Sequence, residues 1–491
     1  MLSRTCSGST WSPSELAMVT RHVAAVDLGA SSGRVVLGTV GKDTLRAEVL
    51  SRFPNRPLRL PDGLHWDLSG LYDRALDGLA EAVRRTGGGL ASVAVDSWAV
   101  DYGLLAGDRL LGPPYHYRDE GRTAGVDRVH AVVPQAELHA RNGLQFLPFN
   151  TVYQLAADGQ LDRADRLLLV PDLIGHWLTG ARVSERTNAS TTGLLEARSH
   201  RWDEDLIARL ALPRRLFGEL VDPGSHLGAT TPQATKRLGQ EVELVTVGSH
   251  DTASAVVATP LTDPESAYIS CGTWGLVGVE LGEPVLTEAA RLANFTNELG
   301  VDGRVRFLTN VMGLWLLSET VRHWEREGPV SLPHLLAAAA ELPFQGPILD
   351  VRDGRFLPPG DMPGRIDSWC REHSAAPPSG RAATVRCIVE SLAHAFAEAV
   401  EAASRLSARR VSTVHVVGGG VLNTLLCQAI ADRSGRVVVA GPVEATALGN
   451  ILVQARACGA VIGELEDLRT LVAGTQRLTR YVPKPGATVT P

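Results

Sequence analysis

The chain of 491 residues carries a net charge of −6, with 44% hydrophobic and 21% charged residues. This balance is typical of a globular protein long enough for two large domains. Its lysines and arginines are dispersed and no apolar run reaches about twenty residues, so we expect neither a nucleic-acid partner nor a membrane span.

The N-terminal segment 1–17 is rich in serine and threonine and lacks the apolar core of a signal peptide. We expect a disordered extension here, with Met18 as a second candidate start of translation. The cysteines stand at positions 6, 271, 370, 387, 427 and 458, without the spacing of a metal site. Scattered reduced thiols are typical of cytoplasmic proteins, so we expect the cytoplasm. Cys370 and Cys387 flank a Ser/Pro/Gly-rich segment, and both a disulfide and two free thiols stay open for them.

The first structured stretch runs from Val23 to Leu37. A β-branched run ends at Asp27, small residues and glycines follow over 29–33, and a second β-branched run begins at Arg34, which predicts strand, tight turn, strand. Glycines and small side chains let backbone amides approach a phosphate, and Asp27 could hold a metal ion through water. A tight hairpin with an incidental aspartate fits the local pattern equally well.

The same turn also matches the G-x-S-x-G signature of serine hydrolases around Ser31. That nucleophile elbow needs a helix directly after the turn. The residues after Arg34 favour a strand instead, so we expect no hydrolase elbow.

The rest of the first half alternates helices and strands. Helical spacing predicts a helix over 68–85, and the apolar runs within 90–105 predict a buried strand, an acidic turn and a second strand. Asp96 and Asp101, in the turn between these strands, could bind sugar-like hydroxyls or cap their own backbone. Further helices are expected after Asn150 and over 171–180.

A strand predicted over 242–247 leads into the sequence Gly-Ser-His-Asp-Thr at 248–252, which indicates a turn from strand to helix. Taken locally, Asp251 fits either the N-cap of the following helix or a catalytic base. Residues 267–279 again show the pattern of a strand, a Gly-Thr turn and a second strand. This repeats the pattern of residues 23–37 and predicts two similarly built halves. We further expect an amphipathic helix from Asn310, a helix over 385–404, a strand over 411–417 that ends in three glycines, and a last helix over 444–457.

The glycine turns and their order resemble the sugar kinase, Hsp70 and actin superfamily and, within it, the FGGY carbohydrate kinases. The motifs stand in family order between about residues 22 and 455, at 27–34, 115–119, 248–252, 270–274, 294–297, 310–317, 359–363, 417–420 and 442–450. The resemblance implies an α/β fold of two RNase-H-like (actin-like ATPase) domains, with mixed sheets flanked by helices around a central cleft. It implies an N-terminal domain over 18–258, a C-terminal nucleotide-binding domain over 259–480 and a tail over 481–491.

The activity implied by the resemblance is ATP-dependent phosphorylation of a ketose, L-rhamnulose, at its 1-hydroxyl, in L-rhamnose catabolism. Its implied partners are therefore a small ketose, ATP and Mg²⁺. The P-loop motif G-x-x-x-x-G-K-[ST] does not occur, so a P-loop is excluded as the phosphate-binding loop. Kinases for L-fuculose or L-xylulose and a non-catalytic sugar sensor are the alternatives. The sequence does not distinguish a monomer from a dimer.

The resemblance also assigns roles to individual residues. Asp251 is the implied general base, and Asp27 the implied metal ligand. The implied sugar-binding residues are Ala99, His250, Asp251, Thr252 and Asn310. The implied ATP-binding residues are Ala30, Ser31, Ser32, Gly33, Arg34, Thr273, Ser318 and Gly419. Two positions depart from the family pattern, because Ala99 replaces a usual glycine and Ser318 replaces a usual glutamine.

Overall fold

The computed structural model describes residues 20–486. The predicted extension 1–17 and residues 487–491 of the predicted tail lie outside this range. Two mixed β-sheets, each flanked by helices, form the two halves of the molecule, which confirms the predicted fold class.

The sheet of the first half has six strands. Arg21–Leu28 pairs antiparallel with the next strand, Ser32–Gly41, and parallel with Leu90–Ser97, and this parallel register places Asp27 beside Asp96. The full strand order is His226–Ala229, Glu243–Val245, Leu90–Ser97, Arg21–Leu28, Ser32–Gly41 and Thr44–Pro54.

The sheet of the second half has seven strands and the same central pattern. Ser266–Cys271 pairs antiparallel with Trp274–Leu281 and parallel with Thr413–Val417, so the repeat expected from the sequence is present. The strand order is Thr296–Leu299, Val305–Met312, Trp274–Leu281, Ser266–Cys271, Thr413–Val417, Val437–Ala440 and Thr479–Tyr481.

Smaller strands and the helices complete the fold. The small strands are Leu58–Leu60, Gly63–His65, Tyr102–Ala106, Arg109–Leu110, Arg166–Leu169, Ser184–Glu185 and Leu220–Val221. The α-helices are Leu68–Arg85, Ala124–His130, Gln135–Asn142, Thr151–Ala156, Val170–Thr179, Arg186–Ala189, Glu204–Arg209, Pro232–Leu238, Asp251–Val257, Glu288–Leu292, Trp315–Trp324, Leu332–Glu341, Met362–Glu372, Arg381–Ser407, Thr424–Ser434, Ala445–Ala457 and Leu465–Thr475. None of the helices in the described range is long and apolar enough to cross a membrane.

Local chemistry explains why two of the predicted helices form at their expected positions. The helix Leu68–Arg85 begins where the Asp67 carboxylate accepts a hydrogen bond from the Gly70 amide, and two arginines occupy its last turn. The helix Val170–Thr179 has a proline in its first turn and ends at Gly180, whose φ of 85° favours glycine.

The predicted helix from Asn310 is wrong at its start. Asn310 lies on the strand Val305–Met312, and the helix begins only at Trp315. This strand pairs with Trp274–Leu281 on one side and Thr296–Leu299 on the other. The hydrogen bonds of two neighbouring strands therefore outweigh the local helical pattern.

The two halves share a buried core at their junction. Val23, Ala25 and Val36 of the first sheet pack with Leu448 and Ile451 of the helix Ala445–Ala457. The same helix crosses Asp251–Val257 so closely that a Cβ on Gly449 would overlap the Ser254 carbonyl oxygen. The helix that carries Asp251 is therefore held by close backbone packing.

The candidate disulfide is absent from the structure. Cys370 and Cys387 are both buried free thiols, and the Cys387 Sγ donates a hydrogen bond to the Pro347 carbonyl. The other cysteines in the range 20–486 are also free.

Candidate active site

A cavity of about 590 Å³ opens between the two halves. It is lined from the first half by the turn after Arg21–Leu28, by the segment 98–100 and by the start of the helix Asp251–Val257. From the second half it receives the turns at Gly272 and Gly418. Motifs that are far apart in the sequence therefore meet in one site.

The opening turn forms one wall of this cavity. The Gly29 amide donates to the Ser32 carbonyl at 2.9 Å, and the Asn55 side chain donates to the Gly29 carbonyl at 2.9 Å, so the turn has a fixed shape. The strand Ser32–Gly41 follows at once. The helix that a serine-hydrolase elbow requires is therefore not there, as the sequence predicted.

A chain of ion pairs crosses the cavity at this wall. The Arg34 guanidinium donates to Asp27 Oδ2 from Nε at 2.7 Å, and it also pairs with Glu444 of the second half. Arg52 lies 3.4 Å from the same glutamate. Asp27 is almost fully buried, so Arg34 neutralises its charge where water is scarce.

Asp251 is the first residue of its helix, and His250 is the N-cap. Asp251 therefore lies inside the helix rather than at its cap, and Thr252 Oγ1 donates to its Oδ1 at 3.1 Å. The local alternative that Asp251 serves as an N-cap is therefore wrong. Burial raises the pKa of Asp251, and the Asp27 charge adds to this, while His250 and Thr252 oppose it.

A buried aspartate supports the opposite wall, which Trp98 lines. Asp101 Oδ2 accepts from the indole nitrogens of Trp66 and Trp98 at 2.6 and 3.0 Å and from the Tyr117 amide at 3.2 Å. Gln154 donates to Oδ1 at 2.9 Å, and burial raises the pKa of Asp101 to about 7. Asp101 thus fixes the wall from behind, because its own side chain does not face the cavity.

Two further observations concern this wall. Val100 has a φ of 69°, which is unusual for a β-branched residue, and Thr151 Oγ1 holds its carbonyl at 2.7 Å. Asp96, the other aspartate of this turn, is fully buried, and its Oδ2 accepts from Asn450 of the second half at 2.5 Å. Neither Asp96 nor Asp101 lines the cavity. The structure therefore does not place their side chains where they could bind sugar hydroxyls directly.

Replacing Asp101 with asparagine tests this support. We expect the KM for the sugar to rise about tenfold. All partners of the Asp101 carboxylate are N–H donors, so the NH₂ group of an asparagine would face another donor and leave a buried polar group without a partner. The KM for ATP should stay unchanged. Steady-state kinetics measures both, with the exposed Asp108 mutated to asparagine as the control; equal KM values for sugar in D101N and the wild type would contradict the prediction.

The sugar-binding candidate Asn310 is fixed by a residue that the sequence analysis missed. Its backbone amide and its side-chain Nδ2 both donate to Gln145 Oε1 at 2.9 Å. Gln145 is buried and lines the cavity itself. No local pattern marks it, because its partner lies 165 positions away in the chain.

The later glycine turns bring bare backbone to the cavity. Gly418 has a φ of 83°, and a Cβ there would meet the Cys271 carbonyl oxygen at 3.1 Å. A Cβ on Gly420 would overlap the Cys271 sulfur. Only glycine fits these positions, so the turn lies directly against the Gly272 turn.

Most of the predicted site residues meet in the cavity. Those that line it are Asp27, Ala30, Ser31, Arg34, Ala99, His250, Asp251, Thr252, Thr273, Asn310 and Gly419. Ser32, Gly33 and Ser318 do not line it. A Cβ on Gly33 would overlap the Phe53 ring, so Gly33 is needed for packing, and Ser318 is exposed on the helix Trp315–Trp324. Contacts of these three residues with ATP stay predictions.

Family models match both halves of the chain. Residues 23–258 match the N-terminal domain and residues 267–458 match the C-terminal domain of the FGGY family of carbohydrate kinases. Among curated relatives, the rhamnulokinase of Klebsiella pneumoniae subsp. pneumoniae is 41% identical over 484 residues, which cover 96% of each chain. The rhamnulokinase of Bacteroides thetaiotaomicron is 38% identical over 468 residues, covering 94% of this chain and 95% of the relative.

Solved structures agree on the fold. A gluconate kinase from Lactobacillus acidophilus superposes with a TM-score of 0.75 at 16% identity, covering 95% of this chain and 94% of that one. A xylulose kinase from Rhodospirillum rubrum gives a TM-score of 0.75 at 21% identity, covering 95% of both chains. At such low identity these likenesses concern the fold alone.

Proposed function

Because the chain belongs to the FGGY family of carbohydrate kinases, we propose that it transfers a phosphoryl group from ATP to the 1-hydroxyl of L-rhamnulose. The products are L-rhamnulose 1-phosphate and ADP, in L-rhamnose catabolism. The observation that carries the choice of sugar is the 38–41% identity to rhamnulokinases over almost the full length of both chains. The cavity supports it, because most of the predicted sugar and ATP residues meet there.

The division of labour between the halves follows the same proposal. We assign 18–258 to an N-terminal domain and 259–480 to a C-terminal domain that binds the nucleotide. The ranges of the two family models, 23–258 and 267–458, support these bounds. The shared core along the helix Ala445–Ala457 joins the two domains beside the cavity.

Asp251 is the general base in this mechanism. The 1-hydroxyl of the ketose attacks the terminal phosphorus of ATP, and its proton passes to a carboxylate oxygen of Asp251 as the bond to ADP breaks. Phosphoryl transfer depends mainly on positioning and charge stabilisation, so a weak base is sufficient when proton transfer is late. Thr252 fixes one carboxylate oxygen, and the other is available to the sugar.

The opening turn binds the phosphates in this proposal. The turn 29–31 presents small residues to the cavity, and Arg34 brings a cation to the same wall. The turns at Thr273 and Gly419 approach from the second domain, where their backbone can contact the nucleotide.

Asp27 fits a magnesium ion. The range 20–486 holds no cluster of three His, Cys, Asp or Glu side chains suited to a metal, so a lone carboxylate with water and nucleotide oxygens is the expected ligand set. Mg²⁺ commonly binds in this way, through one or two carboxylates and substrate phosphates. When bound, Mg²⁺ neutralises the charge of the phosphates.

The location of the reaction is also part of the proposal. We propose that the reaction takes place in the cytoplasm, because its substrate and ATP are small soluble molecules. The free thiols at all described cysteines support a reducing compartment.

A ketose panel tests the substrate. ADP release is measured with L-rhamnulose, L-fuculose and L-xylulose at matched concentrations, each against a sugar-free blank. We expect the highest kcat/KM for L-rhamnulose. A higher value for another ketose would reassign the substrate, and sugar binding by calorimetry without any ADP release would favour the sensor alternative.

The raised pKa of Asp251 gives a pH prediction. The base must be unprotonated, so kcat/KM should fall as the pH drops through its pKa. Since burial raises this pKa above the usual value of about 3.9, we expect the acid limb above that pH. The measurement is kcat/KM for the ketose against pH at saturating ATP, with circular dichroism at each pH to exclude unfolding. A profile that stays flat down to about pH 4 would contradict the assignment.

A further inference from the structure

A buried charged pair from the second domain contacts His250, the neighbour of the proposed base. Glu298 and Arg306 face each other across the strands Thr296–Leu299 and Val305–Met312. Arg306 Nη2 lies 3.1 Å from His250 Nδ1 and 3.1 Å from Glu298 Oε2. On the other side of the ring, His250 Nε2 lies 3.5 Å from Asp251 Oδ1. The imidazole ring of His250 therefore lies between this charged pair and Asp251.

The pair has features that packing alone does not explain. Arg306 is completely buried, and its Nη1 finds no acceptor in residues 20–486, while its Nε donates to the Leu299 carbonyl at 3.1 Å. Burial alone would raise the pKa of Glu298, but the charge of the Arg306 guanidinium holds it below its usual value. A hydrophobic pair of similar size is often as stable as a buried ion pair, so a role in positioning His250 accounts better for these charges.

The contacts decide where the imidazole proton lies. A guanidinium carries only N–H donors and no acceptor. The Arg306 contact is therefore a hydrogen bond only if His250 Nδ1 is an unprotonated acceptor. Glu298 Oε2 also approaches Nδ1, at 3.2 Å, but within the described chain it accepts no hydrogen bond of suitable geometry. These contacts favour Glu298 as the counter-ion of Arg306 and the ring proton on Nε2.

We propose that Arg306, with Glu298 as its counter-ion, is a positioning residue that holds His250 as the neutral tautomer with its proton on Nε2. The Nε2–H then faces Asp251 and the cavity, since His250 lines that cavity. At 3.5 Å its bond to Asp251 is too long to be strong, so the donor is available to a sugar oxygen beside the reacting hydroxyl. The second domain thereby orders the sugar site of the first.

Replacing Arg306 reverses the tautomer in this arrangement. Without the guanidinium, Nδ1 becomes free to donate to Glu298, and Nε2 then presents a lone pair to the anionic Asp251 and to the sugar. We expect R306M to lose kcat about ten- to a hundredfold, as for other groups that orient a functional histidine. The KM for ATP should not change. R306K retains a donor for Nδ1 and should keep most of the wild-type kcat.

The decisive measurement is the protonation pattern of the ring by NMR. Selectively ¹⁵N-histidine-labelled full-length protein is studied without substrate, and a H250N spectrum assigns the His250 signals. Wild type and R306K should show a protonated Nε2 and an unprotonated Nδ1, and R306M the reverse. This part does not depend on the sugar, whereas the effect on kcat rests on the proposed function, so failure of one is distinguishable from failure of the other.

A matched variant controls for loss of a buried arginine. Arg469 is also buried and pairs with Glu280 through two contacts of 2.8 Å, but it does not line the cavity. R469M should leave the His250 spectrum and kcat near wild type. A proton on Nδ1 in the wild type, an unchanged pattern in R306M, or a loss of kcat in R306K or R469M as large as that in R306M overturns the proposal. If R306M does not fold, the wild-type and R306K spectra still decide it.

Discussion

Asp251→Asn is expected to lower kcat by about 10²- to 10⁴-fold, because the amide cannot accept the proton of the attacking hydroxyl. The side chain keeps its size, and the amide oxygen can still accept from Thr252, so the sugar Kd should change little. A coupled assay of ADP release with L-rhamnulose measures kcat, and calorimetry measures sugar binding.

Asp127→Asn is the matched control for this variant. Asp127 lies, like Asp251, in the first turn of a short helix, but it is exposed and outside the cavity. Its replacement should leave kcat unchanged. Near-normal turnover by D251N would rule out Asp251 as the base, whatever the sugar.

Gly449→Val is expected to have the largest effect on stability, a loss of about 3 kcal/mol or more in the free energy of unfolding. Any Cβ at this position overlaps the backbone oxygen of Ser254, which no change of rotamer can relieve. The helices Ala445–Ala457 and Asp251–Val257 must then separate. Because Asp251 begins the second of these helices, the folded fraction should also lose activity. Urea denaturation followed by circular dichroism measures the stability.

Gly474→Ala provides the control for this substitution. Gly474 also lies in a helix, Leu465–Thr475, but a Cβ there meets no atom within 4 Å. Alanine favours a helix over glycine, so the stability should be unchanged or rise by up to about 1 kcal/mol. A similar loss in G449V and G474A would show that the close helix crossing does not limit stability.

Polar bonds reinforce the same junction between the halves. Asn450 donates to Asp96, and Gln454 donates to both the Ala24 carbonyl and the Asn450 side chain. Ser92 in turn donates to Gln454 at 2.7 Å. The helix Ala445–Ala457 therefore specifies how the halves meet through directional bonds as well as through apolar contact.

Short-range patterns in the sequence were enough for much of the fold. The strand that ends at Asp27, the turn and the returning strand follow from β-branched runs and glycines, and the helix Leu68–Arg85 follows from its apolar spacing. Such patterns work because backbone preference and the burial of one face are set by residues a few positions apart. The ordered glycine motifs likewise identified most of the candidate site residues from the sequence alone.

Long-range packing decided what the sequence could not show. Asn310 became part of a strand because two neighbouring strands supply its hydrogen bonds, and Asp101 became a support for two tryptophans rather than a group facing the cavity. The contact between Arg306 and His250 joins residues 56 positions apart. The sequence by itself determined the backbone turns of this protein and indicated Asp251 as the base that we propose. Only the tertiary structure decided which buried charged groups contact these turns and the residues beside Asp251, because the energy of a buried charge depends on partners brought close by folding.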